Sequence, residues 1–342
     1  MSPFLQTCAW HICDILIRRT PHFRHFLLKL GEPKGVNRIP LHKTTQVPCR
    51  AMNIKESTID GNIEVVETLL RRGGVGSPAN EAFSPENDVD MSEHIMFVHG
   101  DLLTKERLDS VRDSRRIEHD PVDRFDPIHP LPGVFHIEMA ATDTFWQVWM
   151  EPKETHDDKN SLFEHVRVVH RGETKKFATN PGYRLMHDLI HHSLWGSMLD
   201  CWRIEAKARN AEWSSLEEFA MANPSWEMIV SMSEDIARKY VATGPDLDEI
   251  RTAKDNSYRD QIFENQCLRN RDEFLYVDLC HAVREGDVGR LETLLLPWIY
   301  LFKATGKHKY ASHMTRFLKD LYGLYSEDLR FVVHDLSKYL PH

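Results

Sequence analysis

Along most of this chain, apolar residues return every three or four positions, the spacing of helices with one buried face. In the first segment Phe4, Leu5, Ala9, Ile12, Ile15 and Leu16 share a broad face, which predicts a helix ending near Arg19, before Pro21. A short apolar run, HFRHFLLKL, then leads to Gly31. The stretch Gly31–Arg50 has three prolines and no sustained period, so it reads as an extended connector. From Ser57 to Gly76, Ile63, Val66, Leu69 and Leu70 align on one face, and Gly73 and Gly74 offer a left-handed stop. The acidic, Pro-containing segment near residues 77–93 reads as a long loop and the main internal seam. HIMFVHGD, residues 94–101, has the short β-rich pattern of a strand halted at Gly100, and Thr104 is placed to cap the helix after it.

The pattern beyond is a succession of helices. PVDRFDPIHPLPGV, with four prolines, reads as a connector. It precedes a helix carrying Phe135, Met139, Phe145, Trp146 and Trp149. Residues 182–209 form one long helical run with Gly196 as its weak point. Further helical runs start at Pro224, near Tyr258, at Asp287, near Lys309 and at Ser326, and Pro297 is expected to kink or split the one starting at Asp287. The expected fold is mainly α with a small α/β element near residue 97 and a helical stack in the C-terminal half.

Composition narrows this picture. The chain has 342 residues, 41% of them hydrophobic and 28% charged, the proportions of a globular protein with a sizeable core. Its net charge of -9 does not support a broad nucleic-acid surface, although a local basic patch can still exist; a protein partner remains open. No apolar stretch approaches a membrane span, and the first residues lack the basic start of a secretory leader. The cysteines at 8, 13, 49, 201, 267 and 280 are scattered with no C-x-x-C pair. They read as buried free thiols in a reducing compartment, cytoplasm or nucleus.

Two constellations carry candidate chemistry. His187 and His191 are four apart, on one helix face, and can share a metal, although the zincin Glu is replaced by Asp188. Asp101 follows the predicted strand, beside a glycine that lets a ligand approach the backbone. Glu205 lies on the long helix, and the two carboxylates can clamp a divalent metal for phosphoryl transfer, with Mg as the implied cofactor. The bland alternative for Asp101 is a carboxylate that caps the next turn. DGNIEVVETLLRRGGV and REGDVGRLETLLLPW each look like one ankyrin helix, but they lie too far apart for a repeat array. No phosphate-binding loop, dinucleotide fingerprint or nucleophile elbow is present in the sequence.

Several co-linear stretches together resemble a known family. They include STIDGNIEVVETLLRRGGVG, HGDLLTKERLDSVRDSRRIEHDPVDRFD, PLPGVFHIEMAATDTFW, CWRIEA, DLCHAVREGDVGRLETLLLPWIYLF and GKHKYASHMTRFLKDLYGLYSEDLR. The chain resembles the fungal family Domain of Unknown Function 6589 from about Ile39 to Val333. The resemblance implies no established activity, and the family's abundance in mushroom-forming fungi suggests a mobile element. Asp101 matches the Asp of the family's G-D-x-L-T stretch, and Glu205 the Glu of its W-R-x-E stretch. Members continue further at both ends, which implies a truncated member here. It is organised as an N-terminal helix and connector (1–50), a family-like helical region (51–333) and a divergent tail (334–342). Three functions follow as expectations. The chain is an uncharacterised protein without assigned activity, a degenerate transposase-like or nuclease-like core using Asp101 and Glu205, or a non-catalytic helical interaction scaffold. The scaffold predicts an exposed apolar groove, which Trp146, Trp149, Trp195 and Trp202 can line, although large aromatics more often pack in the core.

Overall fold

The computed structural model describes residues 1–38, 47–150, 161–242 and 259–336, with side chains up to residue 333. Part of the N-terminal connector (39–46) and the side chains of the tail lie outside the described residues. In chain order come α1 (Pro3–Arg19), α2 (Leu27–Leu30), α3 (Ile59–Arg72), β1 (Val75–Gly76), β2 (Val89–Asp90), β3 (Met96–Gly100), α4 (Leu102–Ser114), β4 (Ile128–Pro132) and α5 (Val134–Trp149). There follow α6 (Leu162–Val169), α7 (Thr174–Phe177), α8 (Gly182–Arg209), α9 (Leu216–Met221), α10 (Trp226–Tyr240), α11 (Gln261–Arg284), α12 (Val288–Ala304), α13 (His308–Gly323) and α14 (Glu327–Leu336). The fold is therefore mainly α with a small α/β element. Among the described residues no helix is long and apolar enough to cross a membrane.

The chain divides into two compact units that interleave in sequence. One comprises Met1–Arg38 and Glu138–Lys307, the other Ile39–Ile137 and His308–His342. In the first unit α1 starts where Ser2 Oγ accepts the Leu5 amide at 3.3 Å, with Pro3 at the first helical position, where its missing N–H costs nothing. Its apolar face buries Ile12, Leu16 and Ile17 against Leu194, Met198 and Trp202 of α8 and Ile229, Met232 and Ile236 of α10. The long α8 runs unbroken through Gly196. Helix α12 likewise continues through Pro297, so the proline does not split it.

Helix α11 departs from amphipathic expectation. Glu264, Arg269, Asn270, Asp272, Glu273, Asp278 and His281 are buried along it beside Phe274, Tyr276 and Leu279. A buried polar group needs a partner. Asn270 Nδ2 donates to the Tyr240 carbonyl at 2.8 Å, and Asp272 accepts from the Trp149 indole at 3.1 Å and from Arg271.

In the second unit β3 and β4 pair in parallel, Met96 opposite Ile128 through Gly100 opposite Pro132, with α4 as the crossover between them. The second strand lies in the proline-rich segment that the sequence marks as a connector. Pro130 and Pro132 occupy alternate positions, so both missing donors fall on one side, and among the described residues β4 has a strand neighbour only on the other. The polar seam is likewise pinned at its end, where Val89 N–H reaches the Gly74 carbonyl at 2.7 Å and β1 pairs with β2. Val66, Leu70, Leu108, Val111, Phe125 and Ile128 form the core here.

Candidate functional site

The sequence-predicted carboxylates lie in different units, and each has protein partners of its own. Asp101 ends β3 and caps α4. Its Oδ1 accepts the Thr104 amide at 2.7 Å, so Asp101 rather than Thr104 is the cap. The Thr104 amide and hydroxyl hold the Asp101 carboxyl below its ordinary range. The adjacent Gly100 admits protein backbone: Gly133 N–H donates to the Gly100 carbonyl at 2.9 Å, and a side chain at Gly133 would meet that oxygen at 2.7 Å. Glu205, 5% exposed, accepts from Lys239 Nζ at 2.7 and 2.9 Å and from the Tyr240 hydroxyl at 2.9 Å.

The histidines of α8 are also engaged. His187 Nδ1 lies 2.7 Å from the Tyr276 hydroxyl, and His191 Nδ1 lies 2.8 Å from the His187 carbonyl, with the two rings 4.3 Å apart. Burial lowers the pKa of both, that of His191 to about 4. Among the described residues no three His, Cys, Asp or Glu side chains cluster so as to hold a metal ion.

Ser193 lies 3.0 Å from His165 Nδ1, which invites comparison with a nucleophile and its base. The polarity is reversed. Arg269 can only donate, and its Nη2 faces His165 Nε2 at 3.4 Å, so the ring proton belongs on Nδ1 and is donated to the serine oxygen. His165 in this state cannot withdraw the serine proton, and Ser193 is 3% exposed.

The large concavity of the first unit lies elsewhere. A cavity of about 1310 Å³ opens between the first turn of α1, the connector Glu32–Val36, and α11 and α12. Phe4, Leu5, Trp10, Leu275, Leu294 and Pro297 make its walls largely apolar. Three basic side chains (Lys34, Arg271, Arg290) and two acidic ones (Glu32, Asp278) also line it.

A buried polar lattice shapes this groove. Arg290 donates to Thr7 Oγ1 at 2.8 Å, to the Lys34 carbonyl at 2.5 Å, to Asp278 at 3.2 Å and to Asp287 at 3.3 Å. Asp287, which caps α12 through the Arg290 amide at 3.1 Å, also accepts the Val36 and Asn37 amides at 3.0 Å. Burial opposes ionisation of Asp287, but the Asn37, Val36 and Arg290 amides and the Arg290 guanidinium outweigh it and hold its pKa below the ordinary value. Asp278 is also 3.3 Å from His11 Nε2. Gly289 is required by this junction, since a methyl there would meet Asn37 Cβ and Val36 Cγ1 at 2.9 Å. The connector is thereby tied to α11 and α12 across more than 250 residues of sequence.

Helix α12 presents a continuous stripe beside the cavity. Thr293, Leu296, Pro297 and Tyr300 recur at helical spacing, and Leu296 and Tyr300 are 54% and 75% exposed. Pro297 has no N–H, so the Thr293 carbonyl loses its helical donor. Thr293 and Pro297 both line the cavity.

The tryptophans weighed between a groove and the core are employed in packing. Trp202 is fully buried with its indole on the Ile12 carbonyl at 3.1 Å, and the Trp146 indole donates to the Phe177 carbonyl at 2.9 Å. Trp195 carries the Arg19 guanidinium 3.4 Å over its ring. The residues that do form the groove were marked in sequence only by an Asp–x–x–Arg cap at 287–290 and a proline inside a helix.

No curated protein and no solved structure matches the chain. A family model does match, over residues 2–336, nearly the whole length. The chain belongs to DUF6589, a family of unknown function.

Proposed function

We propose that this protein is a non-catalytic helical scaffold whose first unit binds an apolar polypeptide segment of a partner protein. The groove of about 1310 Å³ between α1, α11 and α12 carries this conclusion. Pockets for single small ligands usually hold about 300–1,000 Å³, so this one suits a longer occupant. The exposed Leu296 and Tyr300 lie at helical spacing from Thr293 and Pro297, which line it. Contiguous apolar surface of that kind commonly marks an interaction site. The polar groups of the groove support shape rather than turnover, because Arg290, Asp278 and Asp287 are consumed by one another and by the connector.

The test is selection of random linear peptides, displayed on phage, against the full chain. Enriched peptides are expected to bind wild type and to lose about tenfold or more in affinity on Thr293→Arg, an exposed position whose larger side chain fills the groove. Circular dichroism checks that the variant folds. If no peptide is enriched, or if Thr293→Arg binds as wild type does, the scaffold assignment falls. Calorimetric titration with Mg²⁺ addresses the nuclease-like alternative. Heat of binding that disappears in both Asp101→Asn and Glu205→Gln would replace the scaffold by the two-carboxylate core.

A further inference from the structure

We propose that His170 and His192 form a two-imidazole zinc site, with Glu173 behind His170 as its positioning carboxylate. The site lies wholly within the first unit and does not depend on the groove.

The two rings come from different elements. His170 follows the last residue of α6, and His192 sits inside α8. Packing of α6 on α8 brings His192 Nδ1 to 3.3 Å from His170 Nε2, with the rings inclined by 30°. Two nitrogens bound to one zinc at about 2.0–2.1 Å and the tetrahedral angle stand about 3.3–3.4 Å apart. A square-planar metal with similar bond lengths needs about 2.8–3.0 Å. The pair therefore has the bite of a tetrahedral ion.

Each ring is also supported by a neighbour. Glu173 Oε2 lies 3.4 Å from His170 Nδ1. An ionised carboxylate only accepts, so the His170 proton belongs on Nδ1 and Nε2 presents a lone pair toward His192. Zinc-ligating histidines commonly make such a carboxylate contact through the nitrogen that does not bind the metal. Phe177 packs against His170 with ring centres 5.5 Å apart, and Trp195 meets His192 edge-on at 5.1 Å. Supports of this kind hold ring orientation before a ligand arrives. In the metal-free chain His192 Nδ1 donates to His170 Nε2. Zinc takes the place of that proton, and His192 carries one on Nε2 instead.

Both histidines are partly exposed, so an ion can enter from solvent and water can complete its four-coordinate shell. Asp188, one turn earlier on α8, favours a cation at His192, and Arg19 opposes it. Charge thus selects little. The imidazoles select the class, zinc rather than Mg²⁺ or Ca²⁺, which prefer oxygen. Bound zinc would tie the end of α6 to α8.

The experiment is calorimetric titration of the full chain with ZnCl₂, with thermal unfolding as a second readout. One tight zinc per chain is expected, undisturbed by excess Mg²⁺. His170→Ala and His192→Ala are each expected to lower its affinity at least about tenfold. Glu173→Gln is expected to lower it about tenfold with the stoichiometry and the metal-free Tm unchanged. His187→Ala is expected to bind as wild type does. Zinc is expected to raise the Tm of wild type and not that of His192→Ala, with circular dichroism confirming that the variant folds. No zinc binding by wild type, wild-type affinity in both His170→Ala and His192→Ala, or a loss confined to His187→Ala would overturn the site. Wild-type affinity in Glu173→Gln would overturn the role of that carboxylate.

Discussion

Glu273 lies wholly inside the first unit, fully buried beside Arg269 and Ser193. Burial pushes its pKa from 4.5 up to about 7, against the pull of Arg269, whose Nε is 3.9 Å away. The folded value is above the unfolded one, so the group's contribution is full below about pH 4.5 and is lost as pH rises through about 7. Glu273→Gln keeps the shape and removes the charge. Relative to wild type it is expected to gain about 2–3 kcal/mol at pH 8 and little at pH 5, as read by urea unfolding. An advantage that stays constant with pH would show that Glu273 carries no perturbed proton. Helical spacing gave no warning of this residue. RNRDEF reads as an ordinary charged stretch, and only the helices around α11 bury its carboxylates, Asp272 and Glu273, and raise the pKa of both.

At the scale of elements, caps and breaks were largely written in local sequence. Helices α1, α5, α8 and α11 begin and end within a few residues of their expected limits, because Ser, Pro, Gly and the basic last turns act on adjacent backbone groups. The start of α4 shows the limit of that legibility. Both Asp101 and Thr104 are competent caps, and the turn out of β3 gives the role to Asp101. Asp101→Ala is expected to cost about 1 kcal/mol in thermal or urea unfolding, and Asp101→Asn to recover most of it. Equal losses in both variants would mean that the charge, rather than the cap, is what stabilises. Strand β4 escaped notice because four prolines argue against a strand; it exists because it needs donors on one edge only.

Across the whole molecule, buried titratable groups set the response to acid. Burial holds His165, His191 and His281 at about 4, below the unfolded value of 6.5. Their contribution is full above about pH 6.5 and is lost as pH falls through about 4, opposite in sign to Glu273. Stability is expected to peak near neutrality and to fall steeply on acidification, with several protons taken up on unfolding. A urea midpoint that rises between about pH 6.5 and pH 4.5 would contradict that assignment. The two interleaved units were not legible in the seam near 77–93, since contact between distant segments defines them. By itself the sequence determined the mainly helical class, most helix limits and the family. These depend on local hydrogen bonding, hydrophobic period and co-linear order. Tertiary structure alone decided that Asp101 caps a helix, that Glu205 is enclosed by Lys239 and Tyr240, and that Arg290 and Asp287 bind a connector more than 250 residues away to open the groove. Those outcomes turn on burial and on the pairing of charges remote in sequence, and no local pattern encodes either.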